Sequence, residues 1–91
     1  MYYNEYLELK IGDIVTPIGN SKDKGRPFKV VDAGEHYINC WGHPQRNNGI
    51  WVEPIDGKPI TITCPMDEGP YYGNKKRRHY QYQALKIIEQ V

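Results

Sequence analysis

Four basic residues in succession, Lys75-Lys76-Arg77-Arg78, run straight into His79-Tyr80-Gln81-Tyr82. Cations of this kind neutralise phosphates, and phenol rings stack on unpaired bases. On an extended strand Tyr80 and Tyr82 point the same way, about 7 Å apart, a spacing that two successive stacked bases can use. Lys24 and Arg26, with Lys22, lie in a separate polar loop and extend the cationic set if that loop folds alongside. Residues 71–91 carry a charge of +4 and residues 1–70 carry −3, so a chain of net charge +1 keeps its positive charge at one end. The chemistry implied is binding to nucleic acid, either RNA or single-stranded DNA. The competing explanation is a solvated loop, or an edge strand guarded by cations against aggregation and partly neutralised by Asp67 and Glu68.

A second set of residues suits a protein partner instead. Tyr71 and Tyr72 stand between Pro70 and Gly73, and Tyr37 and Trp41 belong to another stretch rich in rings. Eight tyrosines are more than a small core needs, and tyrosine is enriched at interfaces. This pattern fits a small inhibitor or adaptor of the kind that mobile elements encode. Alternatively, these rings, with Tyr2, Tyr3 and Tyr6, lid the open ends of a barrel. A sheet edge that pairs with a second copy of the chain is a further possibility.

Catalytic and metal chemistry find little support. Cys40 and His43 have short ligand spacing, but the second pair that a zinc site needs is missing, and Cys64 and His79 stand far from each other in sequence. Cys40 and Cys64 each occur in strand-like surroundings and read as small core hydrophobes. Asp13, Asp32, Glu35, Glu53 and Asp56 are scattered, mostly in turns, and the three histidines lack an evident nucleophile. No glycine loop of the Walker type occurs. The chain is therefore expected to be non-enzymatic, with no metal and no cofactor.

The elements that must position these groups are short. Sixteen Gly and Pro residues punctuate 91 positions, a rhythm of brief strands joined by turns. Strands are expected at Gly12–Ile18, with Pro17 near the end, at Phe28–Asp32, and at His36–Trp41. Residues 19–27 form a long polar first loop, and Gly42–Asn48 a second. Asp56-Gly57 predicts a hairpin from Gly49 to Cys64, placing Trp51 opposite Ile62 and giving Trp51, Ile60 and Ile62 one core face. Pro54 and Pro59 remove two ladder donors from that hairpin. Residues 79–90 fit either a helical stripe or a strand with a bulge near Ala84–Leu85, and the paired tyrosines favour strand.

Gly12-Asp13-Ile14-Val15, followed by Gly19, Lys24-Gly25 and Val30, resembles the KOW motif of small SH3-like barrels. In that pattern Gly12 permits a sharp lead-in, Asp13 bonds nearby backbone, and Gly25 serves the turn. The resemblance runs over residues 12–31, with a longer first loop than the family's. It implies contacts with RNA, ribosomal partners or the transcription machinery. Together these readings give a single mostly β domain over residues 1–91, an SH3-like barrel of five or six short antiparallel strands. Two cysteines make no secreted disulfide framework, the N-terminus lacks the regions of a signal peptide, and no apolar stretch reaches membrane-span length. Cytoplasmic residence with free thiols is the expectation.

Overall fold

Two valine-bearing strands form the middle of the sheet in a computed structural model of the chain, which describes residues 1–47, 49–62, 66 and 68–91. β1 (Ile14–Pro17) and β2 (Phe28–Asp32) run antiparallel, with Val15 opposite Phe28. Phe28 and Val30 are buried while Lys29 between them is exposed, the alternation of a strand with one face on the core. Two further strands come earlier in the chain than the next partner of β2. These are β3 (Glu35–Ile38) and β4 (Pro44–Asn47), which pair only with each other as a two-stranded arm. β5 (Ile50–Pro54) then lies against β2, β6 (Arg78–Tyr80) against β5, and β7 (Leu85–Glu89) against β1.

The resulting sheet has the order β6-β5-β2-β1-β7, with every pair antiparallel. The mostly β class expected from the sequence is present, with seven antiparallel strands among the described residues, five in this sheet and two in the arm, where five or six were expected. Among the described residues β6 and β7 do not pair, so the barrel stays open along that seam. A single 3₁₀ turn, Tyr82–Ala84, separates them. The tail is thus a strand, a turn and a strand, broken where the sequence suggested a bulge.

Gly12 leads into β1 with φ +98°, and its amide donates to the Val30 carbonyl at 2.8 Å. Asp13 is buried, and its carboxylate accepts from the backbone amides of Lys10 at 2.9 Å and Val91 at 3.0 Å. That carboxylate ties the approach to β1 to the chain beyond β7.

Several expectations need correction. A short helix, α1 (Tyr3–Glu8), which the sequence did not suggest, precedes the sheet, and its Tyr6 is a core residue. Six residues are too few to show a helical period or to be stable alone. Tertiary contacts hold α1 instead: the Tyr6 hydroxyl lies 3.0 and 3.1 Å from the carbonyl oxygens of Asn47 and Gly49. Arg46 donates to the carbonyls of Tyr6 and Leu9 at 2.8 and 2.7 Å, and its own amide donates to the Tyr3 hydroxyl at 2.8 Å. Pairing with β3 makes a strand of the polar stretch Pro44–Asn47, which the sequence presents as loop, and these bonds hold it against α1. Cys40 is exposed in the turn of this arm and is no core hydrophobe.

The hairpin after Pro54 is replaced by a different crossing. Arg26 reaches over from the first loop, bonding Asp56 and the carbonyls of Lys58 and Pro59, both at 3.0 Å. The chain is drawn away from β5, and β6 takes the place beside it. Ile60 is buried as expected, but β5 turns Ile50 and Val52 inward, leaving Trp51 on the opposite face. Cys64 and Asp67 lie outside the described residues.

Candidate nucleic-acid interface

Because Ile50 and Val52 face the core, Trp51 and Glu53 project from the outer face of β5. Register places His79 of β6 beside Trp51, with ring centroids 5.1 Å apart at an interplanar angle of 58°. One step along the same face, the Arg77 guanidinium lies 3.9 Å from the Glu53 carboxylate. Lys29 is the β2 partner of Glu53, so this acid stands between two cations. Both groups of the Glu53–Arg77 pair are well exposed, so it contributes little to stability.

Two tight loops in tandem stand beside this face. Gly69 and Gly73 exchange amide-to-carbonyl bonds of 3.0 and 2.8 Å, closing a neck beneath Pro70, Tyr71 and Tyr72. Asn74 then closes the second loop: its amide donates to the Arg77 carbonyl at 2.7 Å, and its Oδ1 accepts from the amides of Lys76 and Arg77. Gly73 joins the two at φ +107°, where a Cβ would lie 2.1 Å from the Arg77 carbonyl oxygen. No other residue fits there without moving the backbone. The His79 amide donates to the Tyr72 carbonyl at 2.9 Å, pinning the first loop to β6.

The outcome is one lobe with two kinds of exposed group. Tyr71 and Tyr72 are 80% and 57% exposed, and Lys75, Lys76 and Arg77 follow directly in the second loop, also exposed. A cleft of about 570 Å³ opens between the first loop and β5–β6, lined by Trp51, Pro70, Tyr71, Tyr72, His79 and Gln81. A second, of about 430 Å³, is lined by Glu53, Pro54, Lys58, Pro59, Lys75 and Lys76. Trp51 in one and Glu53 in the other are two residues apart on one strand face, about 7 Å.

The other expected contact residues are dispersed. Arg78 and Tyr80 alternate with His79, so they turn to the opposite side of β6, toward the polar loop of residues 19–27, where both are half-buried. Burial raises the Tyr80 phenol above the ordinary tyrosine value. Tyr82 does not accompany Tyr80 on a strand. The 3₁₀ turn carries its ring onto Tyr6, stacked at 5.3 Å and 10°, with Tyr3 edge-on at 5.4 Å. Lys22 and Lys24 are exposed on the first loop, whereas Arg26 donates to Asp23 at 2.7 Å and also engages Asp56. Its guanidinium is occupied within the molecule. Tyr37 and Trp41 lie on the β3–β4 arm, 46% and 78% exposed.

Sequence reasoning missed Trp51 and His79 as surface neighbours. The parity of Ile50 and Val52, both apolar and one position either side of Trp51, was the available signal. Among the described residues no three His, Cys, Asp or Glu side chains gather as metal ligands. No helix among them is long and apolar enough to cross a membrane. Comparison with protein-family models, curated proteins and solved structures found no match.

Proposed function

We propose that the chain is a cytoplasmic, non-enzymatic binding module for nucleic acid, working through the outer face of β5–β6 and the lobe beside it. One observation carries this reading: the loops pivoting on Gly73 present Lys75, Lys76 and Arg77 together with Tyr71 and Tyr72 beside one strand face. Phosphates suit the cationic end, which Lys29 and Lys58 broaden. The sheet order and the positive-φ lead-in at Gly12 accord with an SH3-like barrel of KOW type, and that resemblance supports the same reading.

The test is a titration of a labelled oligonucleotide at several salt concentrations. Three to five phosphate contacts give log K falling against log salt with a slope of about −2 to −4. Lys75→Ala, Lys76→Ala and Arg77→Ala combined should abolish binding while leaving the circular dichroism spectrum unchanged. Salt-independent binding, or none at low salt, would overturn the proposal.

A second reading is favoured by the β3–β4 arm, whose strand Glu35–Ile38 is exposed throughout and whose tip carries Trp41. Exposed Tyr37, Ile38 and Trp41 suit a protein contact, with a partner protein or with a second copy of the chain. Sedimentation of wild type against a Tyr37→Ala, Trp41→Ala variant tests the self-association arm. A concentration-independent monomer removes it.

A further inference from the structure

Resting on the nucleic-acid reading, we infer that the cleft between the Tyr71–Tyr72 loop and β5–β6 receives an unpaired base, making single-stranded nucleic acid the target class. The outer face of β5 is chemically divided. At the Trp51 end the cleft walls are rings: Trp51 from the sheet, Tyr71 and Tyr72 from the loop. At the Glu53 end the neighbours are cations: Arg77 across the strand pair, Lys29 on β2, and Lys75, Lys76 and Lys58 in the adjoining cleft. A strand with bases on one side and phosphates on the other matches that division.

A duplex does not match it. Paired bases are stacked on each other and offer only their edges in the grooves, so ring faces inside a cleft have nothing to meet. An unpaired base offers its whole face, whatever its identity, and stacking on a protein ring tightens binding by about five- to a hundredfold per base. The rings are also pre-set. The neck at Gly69 and Gly73 and the His79-to-Tyr72 backbone bond fix the loop, so little ordering remains for the binding step.

The experiment uses the full chain carrying Trp41→Phe, which leaves Trp51 as the only tryptophan. Two single-stranded probes of equal length and charge are titrated at fixed salt, one a thymidine homopolymer and the other its abasic sugar-phosphate counterpart. A duplex of matching length serves as the third probe. The expected result is that the homopolymer binds about five- to a hundredfold tighter than the abasic strand and quenches Trp51 fluorescence. Tyr72→Ala should bring that ratio toward one without changing the salt slope. This variant keeps the backbone carbonyl that binds His79, and Tyr71→Ala provides an independent second test. Equal affinity for all three probes, or a ratio unmoved by both variants, overturns the inference and leaves phosphate binding standing. No binding of any probe overturns both.

Discussion

The guanidinium of Arg26 meets the carboxylate of Asp56 side-on, Nη2 to Oδ1 at 3.0 Å and Nε to Oδ2 at 3.2 Å. The pair spans thirty positions of sequence and fixes where the chain goes after β5. Its planar fork also covers the Phe28 ring, with Cζ 5.2 Å from the centroid. Cation, ring and crossing segment are therefore locked by one side chain.

Arg26→Ala should lower stability by about 1–2 kcal/mol in urea titration, through lost charged hydrogen bonds at a site only partly shielded from water. Arg26→Lys should recover little of that, since an ammonium cannot reproduce the two-point contact or the bonds to the Lys58 and Pro59 carbonyls. The hydrogen bond from Arg26, and then that from the Lys58 amide, hold the Asp56 carboxyl below the ordinary aspartate value. A depressed folded pKa gives stability that is present above the unfolded value and lost as pH falls through the folded one. Melting temperature should therefore drop below about pH 4 in the wild type, and less steeply in Asp56→Asn.

Tyr82 and Tyr72 should respond oppositely. Tyr82→Ala removes a ring stacked on Tyr6 and should destabilise by about 2–3 kcal/mol, because a half-buried aromatic leaves a void beside the core. Oligonucleotide affinity of its folded fraction should be unchanged. Tyr72→Ala should leave the melting curve nearly untouched and weaken binding. Thermal melts and titrations on both proteins check the pair.

Gly73→Ala should disturb the lobe more than the sheet. Positive φ and the close Arg77 carbonyl make the substitution strained by about 1–3 kcal/mol. Amide chemical shifts of residues 69–78 should move while those of β1 and β2 stay in place, and binding should fall with the loop geometry. Unmoved shifts across 69–78 would show that Gly73 does not set the loop.

The strands most legible in the sequence are those whose apolar residues alternate, as Phe28 and Val30 show. β4 was not legible, since Pro44-Gln45-Arg46-Asn47 has no apolar face and is held as a strand by pairing with β3 and by the bonds of Arg46 and Tyr3 to α1 and β4. Nor was the partner of β5: the chain bends at Asp56-Gly57 as those residues suggest, but Arg26, distant in sequence, holds the segment that follows, and that segment does not pair with β5. The candidate site divides in the same way. Lys75, Lys76 and Arg77 were readable as a run and Tyr71 and Tyr72 as a flanked pair. Their shared lobe depends on the Gly73 pivot and the Asn74 caps, which join neighbours too intimately for pattern reading. Tyr82 was misplaced because the 3₁₀ turn breaks the period of two on which its direction was inferred.

The pairing of Ile14 with Glu89 also governs how the molecule comes into being. β1 occupies an interior position in the sheet, yet one of its two neighbours, β7, is made long after the other, β2. A nascent chain on the ribosome must hold Val15 and Pro17 with one flank bare until β7 has emerged. Closure of that flank joins distant segments, a pairing that is slow to form because the loop between them must be closed first, so the docking of β7 is the step on which the finished sheet waits.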